Sequence, residues 1–417
     1  MRLFLRDNLH FARANARWIG AGFLLTFFSS FGQTFFIGLS GNDIRTRFGL
    51  SGGEFGGLYM AATLASALTL PWLGRSLDLA PGWKVARFSV PLLAAACLLL
   101  AFAPHVLVLV LALYLLRLFG QGMMTEIAFT ETGRWFVASR GRAMALAVMG
   151  LQAGSALLPV AFVLARDAGD WRTPWVVAAA LLMVAGYPVI LKLMHEPRIP
   201  HAREHAQVEQ HLARDWTRSE VIRDPAFYLL LVGVLAPPFI GTTIFFHQGY
   251  LIALRGYDPL VFVGAFPVMA VTTVVFGLVC GHLVDRYGAL RLLPFFLVPL
   301  AVACLVVGLV TPVWGVYVFM FLLGISSGFT QTLLGALWPE VYGLANLGGI
   351  RAIIVAAMVL STALGPGLTG AIIDMGVALP AQMIWMAAWC LLASAVLGVA
   401  ARMIRARRTR IGTAHGG

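Results

Sequence analysis

The chain has 417 residues, of which 60% are hydrophobic and 12% are charged, and its formal net charge is +12. The charged share is about half that of a soluble domain, so the composition argues against a soluble globular protein. The positive charges are scattered over separate segments, which argues against a nucleic-acid groove and favours anionic inner-leaflet lipid as a partner.

Twelve apolar stretches, each about long enough to cross a bilayer as a helix, follow one another with short interruptions. In the first half they are Trp18–Leu39, Gly53–Leu73, Phe88–Ala103, Val106–Ile127, Ala143–Leu164 and Trp175–Leu193. In the second half they are Ala226–Leu251, Leu260–Cys280, Leu293–Val310, Val313–Leu337, Arg351–Ile373 and Gln382–Arg402. The sequence therefore predicts an all-α integral membrane protein with twelve transmembrane helices in two pseudo-symmetric six-helix bundles.

The two halves repeat at a shift of 207 residues without a gap. The landmarks that return are glycine, aspartate and proline: Gly49 as Gly256, Gly74 as Gly281, Asp78 as Asp285, Gly141 as Gly348 and Pro159 as Pro366. We predict one bundle over residues 1–194, a linker over 195–224, and a second bundle with a basic tail over 225–417.

Orientation follows from the basic residues, which favour the cytoplasmic side of a membrane. With the amino terminus inside, 24 of the 30 Lys and Arg residues lie on inner segments, five lie on outer loops and Arg117 lies within a span. We therefore expect both termini and the linker in the cytoplasm, in a plasma membrane of the bacterial inner-membrane type. The first span should stay as an anchor, because no small-residue cleavage site follows it.

No metal or other cofactor is expected. His201, His205 and Glu209 in the linker have the spacing of a metal-binding helix face. An equally regular apolar stripe favours an interfacial amphipathic helix with a solvated polar face instead. The four cysteines lie in apolar spans without the spacing of metal ligands, and packing explains them.

Each half carries an aspartate in the inner loop after its second helix. Residues 281–288 read GHLVDRYG, with Asp285 and Arg286 at the centre, and residues 74–79 read GRSLDL, with Asp78 and then Leu79 in place of the arginine. Such an aspartate can cap a helix. It can also form a latch that breaks when the two halves rock. The occurrence of the motif at both repeat positions favours the latch.

Two six-helix halves that carry this loop motif resemble the major facilitator superfamily of secondary transporters over residues 17–402. Residues 134–145, RWFVASRGRAMA, are similar to the fifth helix of its monocarboxylate-transporter-like members. The eighth span lacks the charged residues that those members have there. The drug-antiporter pattern Gly-x-x-x-Gly-Pro lacks its proline, because Ser155 follows Gly154. The resemblance implies alternating access between two halves.

Arg117 lies near the middle of the fourth span, where a charge is costly and marks a functional site. The resemblance associates an arginine at this place with substrate binding or proton coupling. Gln121 is four residues further along and shares its helix face. A lone arginine favours a carboxylate ligand. The alternative is a structural arginine bonded to backbone carbonyls at a broken helix.

The first and seventh spans carry polar stripes, and the resemblance places both spans around a central cavity. The stripes are Ser30, Gln33 and Thr34 in the first span and Thr243, His247 and Gln248 in the seventh. We predict that both stripes face substrate, with hydrogen bonding between helices as the alternative. His247 is a candidate proton site. At the inner end, Glu340 and Arg351 could form a gating pair.

These features predict a secondary active transporter, a symporter or antiporter, for a small organic solute, with a carboxylate-type anion favoured. One alternative is an exporter of amphipathic or aromatic compounds, suggested by the phenylalanines of the first and seventh spans. Another is a membrane receptor or enzyme, but the sequence has no zinc-site, nucleophile or phosphate-cradling motif. A monomer is expected.

The predicted topology can be checked by labelling. Single cysteines placed in the linker and at Asp43 should react from opposite sides of the membrane, because the basic residues place these segments on opposite faces. The measurement is modification by an impermeant thiol reagent in intact and in permeabilised cells. Reaction of the linker cysteine in intact cells would show that the orientation is inverted.

Overall fold

The fold comes from a computed structural model, which describes residues 11–136, 139–196, 216–343 and 346–414. Most of the predicted linker, including His201, His205 and Glu209, lies outside the described residues. Within the described ranges the chain is helical and contains no strand.

Twelve helices cross the molecule, as the sequence predicts. In the first half, α1 is a bent pair of segments (Ala16–Gly32 and Thr34–Phe48), followed by α2 (Gly52–Gly74), α3 (Gly82–Ala101), α4 (Val106–Trp135), α5 (Arg140–Asp167) and α6 (Thr173–Met194). The second half contains α7 (Pro225–Phe246), α8 (Pro259–Tyr287), α9 (Val298–Leu309), α10 (Trp314–Tyr342), α11 (Leu347–Asp374) and α12 (Leu379–Ala414). A short helix, Gln248–Arg255, extends α7.

The surface of this bundle is suited to lipid. In the described part of the chain, nine helices are long and apolar enough to cross a membrane, and the bent α1 makes ten. Large apolar side chains point outward along them, among them Leu68, Trp72, Leu107 and Val184. Helices satisfy their own backbone hydrogen bonds, so such a surface is stable in hydrocarbon. The chain is an integral membrane protein.

Helix ends differ from the predicted spans where the sequence is polar. Helix α3 begins at Gly82, six residues before the predicted Phe88, and α4 continues through Trp135, eight residues beyond the predicted Ile127. Hydropathy reports only the hydrocarbon layer, whereas a helix can continue into the interfacial and aqueous layers. The ninth span is shorter than predicted, because turns occupy the residues before Val298.

The 207-residue repeat is also a repeat of backbone conformation. Gly49 ends α1 with φ 65°, and Gly256 ends the helix that extends α7 with φ 64°. The left-handed region is open to glycine at no steric cost, so glycine stops both helices with the same turn. The two glycines in register thus mark the same structural corner in each half.

Among the residues that the structure describes, the two halves are joined by hydrogen bonds at one end of the molecule. We call the end that contains Gly49 and Gly256 the closed end and the opposite one the open end. At the closed end, Asn42 Nδ2 donates to Gly249 O at 2.7 Å, and Asp374 accepts three hydrogen bonds from residues 51–53. Between described residues, no hydrogen bond or ion pair joins the halves at the open end. The hydrogen bonds of Asn42 and Asp374 therefore shut the molecule at the closed end.

Close packing of α1 against α5 depends on Gly150. A Cβ at this position would overlap Phe23 O, whereas a Cβ at Gly141, in the same helix, has no heavy atom within 4 Å. We expect Gly150→Ala to lower the stability of the first half by about 1–3 kcal/mol, because a packed interface cannot absorb an added carbon. Gly141→Ala is the control. Thermal unfolding of both purified variants checks this, and equal melting temperatures would contradict it.

Candidate functional site

The site begins where α1 is broken. Residues Ser30–Gly32 form a 3₁₀ turn, Gln33 is extended with ψ 150°, and the helix resumes at Thr34 with a bend of 43°. Helix α4 passes behind this break and is a π-helix over Leu116–Met124. A Cβ on Gly32 would overlap the backbone of α4, so the backbones of α1 and α4 touch without a side chain between them. Such irregular backbone within a membrane occurs where it is buried in protein or lines a cavity.

A cavity of about 340 Å³ lies between the halves beside this break. It is lined from both halves, by α1, α4 and α5 and by α7, α8, α10 and α11. Its polar lining side chains are all amides and hydroxyls: Gln33, Thr34, Gln121, Gln152, Ser155, Thr242, Thr273, Ser327, Gln331 and Thr362. Phe35 and Phe245 are among its apolar lining residues. Of the described residues that line the cavity, none is charged.

Arg117 lies one layer behind the cavity wall and is only 4% exposed. Its Nη1 donates to Gly32 O and to Thr34 Oγ1, both at 3.3 Å. Its guanidinium lies 5.5 Å from the ring centroid of Tyr59, and the Tyr59 hydroxyl is 2.7 Å from Thr34 Oγ1. No carboxylate among the described residues pairs with Arg117, and its Nε has no partner there. Arg117 thus holds the carbonyl freed by the break in α1, the alternative raised above, and also contacts a side chain of the cavity wall.

The predicted stripes meet the cavity only in part. Gln33, Thr34 and Gln121 line it, and the Gln121 Oε1 atom is buried without a hydrogen-bond partner among the described residues. The lining residues of α7 include Thr242 and Phe245, which lie one and two positions from the predicted Thr243 and His247. One residue along a helix rotates a side chain by 100°, so a small offset moves it out of the wall.

The other four predicted binding residues are buried between helices. Gln248 Nε2 donates to Phe35 O at 2.7 Å and so joins the two halves. The ring of His247 lies with Nε2 3.2 Å from Pro366 O. Ser30 and Thr243 are fully buried. The Ser30 hydroxyl packs against Gly154, and the Thr243 hydroxyl packs against Gly365, so closely that a Cβ on either glycine would overlap it. Their substrate-binding role stays a prediction for another conformation of the protein.

Several lining residues were not predicted from the sequence. Gln152 and Gln331 are amides within apolar spans, and Thr273, Ser327 and Thr362 are hydroxyls in such spans. An amide in the hydrocarbon layer needs a polar partner or water, so the glutamines could have been selected on that ground. The hydroxyls carry no such signal, because a helix can satisfy serine and threonine with its own carbonyls, as Thr273 does with Met269 O at 2.8 Å.

The two inner-loop aspartates occupy different environments at the open end. Asp78 Oδ1 lies 3.3 Å from Arg134 Nη2, and Arg134 also pairs with Glu131 of its own helix. Asp285 is exposed and has no ion pair among the described residues, while the guanidinium of Arg286 lies 5.3 Å from the ring centroid of Tyr287. Between described residues, neither aspartate forms a hydrogen bond or ion pair with the opposite half in this conformation.

The predicted gating pair at the end of α10 is also at the open end. Glu340 Oε2 accepts a hydrogen bond from the backbone N of Ala289 at 2.8 Å, so it binds the turn that follows the second inner-loop motif. Arg351 is exposed on α11. The role of both residues in gating stays a prediction.

Comparison with known proteins agrees with this geometry. The family described as the Major Facilitator Superfamily matches residues 22–276. A bacterial homolog to the human lysosomal transporter Spinster, solved in inward-facing unoccupied and occupied conformations, has the same fold. Both of its structures match with a TM-score of 0.71 and 15% sequence identity, covering 94% of this chain and 97% of that chain. No curated protein matches by sequence.

The inner-loop motif can be tested at Asp285. We expect Asp285→Asn to slow the exchange between conformations while equilibrium substrate binding stays largely intact, because an exposed loop carboxylate far from the cavity can act only on the motion. The measurement is transport rate and binding affinity on the same purified variant. A normal transport rate would leave only a capping role for Asp285.

Proposed function

The chain belongs to the Major Facilitator Superfamily and is a secondary transporter of a solute, and from this premise we propose that its substrate is a small organic anion. The observation that carries the proposal is Arg117, a buried cation without a carboxylate partner among the described residues. A charge held in a low-dielectric interior without a counter-ion is costly and attracts an anion. The cavity is the nearest space in which such an anion can bind.

Thr34 connects the arginine to the cavity. Its Oγ1 atom accepts a hydrogen bond from Arg117 and lies 2.7 Å from the Tyr59 hydroxyl, while its side chain forms part of the wall. When Tyr59 donates to Oγ1 as well, the Thr34 hydroxyl is free to donate into the cavity. A hydroxyl polarised by a guanidinium is a strong donor for a carboxylate, since such hydrogen bonds strengthen one another.

The conformation supports transport by alternating access. With the termini in the cytoplasm, as the basic residues predict, the closed end is the outer one and the open end faces the cytoplasm. The cavity then communicates with the inside, and the hydrogen bonds of Asn42 and Asp374 shut it from the outside. Opening the outer end requires these bonds to break while the inner loops come together.

The proposed setting is the plasma membrane of the bacterial inner-membrane type, with the protein acting as a monomer beside anionic inner-leaflet lipids. Coupling to protons is part of the proposal, with His247 as the candidate group. In this conformation its ring is buried against Pro366 O. Exchange of protons at His247 therefore requires another conformation, one in which the contact between α7 and α11 loosens.

One observation favours a second candidate, the export of amphipathic or aromatic compounds. The described residues of the cavity wall carry no charge, and Phe35 and Phe245 contribute rings to it from opposite halves, 6.3 Å apart between centroids. Such a wall binds an apolar body and satisfies a few polar groups with amides. In that case Arg117 serves only to hold the break in α1.

The two candidates differ in what Arg117→Gln does. If the substrate is an anion, loss of a hydrogen bond to a charged group costs about 1.5–3 kcal/mol, so affinity should fall roughly ten- to a hundredfold. Arg117→Lys should restore it only in part, because an ammonium lacks the planar fork. The measurement is uptake of labelled carboxylates by proteoliposomes, with and without a pH gradient, together with the melting temperature of each variant.

Thr34→Val is the matched second variant, since it removes the hydroxyl and keeps the shape. If Arg117 acts through Thr34, the double variant should lose little more affinity than Arg117→Gln alone. Both substitutions then disrupt the same connection from Arg117 through Thr34 to the substrate. Additive losses would indicate separate contacts. Normal affinity for carboxylates in Arg117→Gln, with a lowered melting temperature, would end the anion proposal and favour the exporter.

A further inference from the structure

Asp374, the last residue of α11, binds the first turn of α2 in the opposite half. Its Oδ2 atom accepts hydrogen bonds from Ser51 Oγ at 2.6 Å and from Gly53 N at 2.7 Å, and its Oδ1 atom accepts one from Gly52 N at 3.0 Å. The first amides of a helix have no acceptor within the helix, and its N-terminus attracts negative charge. The carboxylate thus completes a helix end that belongs to the other half.

Glycines allow this reach. A Cβ on Gly370 would overlap the backbone of Gly52, and a Cβ on Gly56 would overlap Pro366 O. Helices α2 and α11 therefore run with their backbones in contact at the closed end. The short aspartate side chain spans the remaining gap, and its carboxylate binds three donors at once.

The repeat shows that this contact exists on one side only. At the shift of 207 residues, Ser51 corresponds to Asp258 and Asp374 corresponds to Asp167. Asp258 caps its own helix α8 by accepting from Leu260 N at 2.7 Å and from Val261 N. Asp167 is exposed, and no hydrogen bond or ion pair involves it among the described residues. Helices α5 and α8 pack across the halves, and no hydrogen bond or ion pair of a carboxylate joins them in the part of the chain that the structure describes.

We infer that Asp374 is the gating residue that holds the closed end shut, and that it does so only on the α2–α11 side. The three hydrogen bonds must break before the halves separate there, while the α5–α8 side can part without breaking a charged contact. The ratio of the two conformations therefore depends on this carboxylate, together with the uncharged hydrogen bonds from Asn42 to Gly249 O and from Gln248 to Phe35 O. This inference rests on the alternating-access mechanism proposed above.

The experiment measures the conformational ratio directly. Probe pairs at Arg47 and Ala253, exposed at the ends of α1 and of the helix after α7, report the separation of the halves at the closed end. Labels on introduced cysteines are specific because the four native cysteines are buried. Distance distributions of the full chain in lipid nanodiscs, without substrate, then give the fractions with this end shut and open.

Asp374→Asn keeps the shape but removes the charge and one of the two acceptor atoms. We expect the ratio of open to shut molecules to rise about tenfold, as loss of a charge-assisted hydrogen bond requires. The repeat counterpart Asp167→Asn should leave the ratio unchanged. A ratio unchanged in Asp374→Asn, or raised equally in Asp167→Asn, overturns the inference.

Ser51→Ala removes one of the three hydrogen bonds and keeps the carboxylate, and it also removes the capping hydrogen bond that Ser51 Oγ accepts from Glu54 N at 3.1 Å. It should shift the ratio in the same direction but less, and it carries the test if Asp374→Asn does not fold. An unchanged ratio in Ser51→Ala then overturns the inference. If the wild type populates a single separation under all conditions, both the alternating-access function and the gating role of Asp374 are wrong. If two separations are populated and Asp374→Asn does not change their ratio, the gating role of Asp374 is wrong while the alternating-access function stands.

Discussion

The contact between the backbones of α1 and α4 at Gly32 and Gly120 is the constraint on which the site depends. A Cβ on either glycine would overlap the other chain, so no side chain separates the two helices. Helix α1 is broken beside this contact, and the carbonyl of Gly32 loses its place in the ladder of helical hydrogen bonds. Arg117 restores a partner to that carbonyl. The break, the buried arginine and the cavity beside them are parts of one arrangement, because a free carbonyl at membrane depth is tolerated only where protein or a cavity satisfies it.

The two halves share their backbone turns but differ in the charged groups that they carry. Gly49 and Gly256 share a backbone angle to within one degree, so the corners that end α1 and the helix after α7 are copies. The function-bearing groups are not copies: Arg117 has Gly324 at its repeat position, and Asp374 has the exposed Asp167. The glycine turns set the backbone shape, and both halves need that shape. A charged group such as Arg117 or Asp374 is needed in one half only. The fold thus combines two halves of similar shape with a cavity that both halves line and a buried arginine that comes from the first half.

Apolar length and the repeat were sufficient to predict the twelve helices, because lipid forces every span to be a long apolar helix. The cavity was harder to predict. Arg117 was selected because a charge within a span is costly, Gln121 because it shares a helix face with Arg117, and Gln33 and Thr34 because they belong to a polar stripe in the first span. In α7 the predicted Thr243 and His247 lie one or two positions from the lining residues Thr242 and Phe245, because the spacing of polar residues does not report which side of a helix faces a cavity. Asp374 looked like an ordinary helix end, because its partner lies 323 residues away in sequence.

The distance of Arg117 from the cavity bears on how a transporter must bind. A guanidinium in direct bidentate contact with a carboxylate, in a dry site, holds it tightly. A transporter must also release its substrate on the other side, so binding that is too strong slows the cycle. Thr34 places one hydroxyl between the charge and the cavity, which keeps the electrostatic attraction and replaces the ionic contact by a single hydrogen bond. Neutral amides around the wall then select the rest of the molecule. If the substrate is the anion proposed above, such a site favours it over a neutral analogue and still allows it to leave.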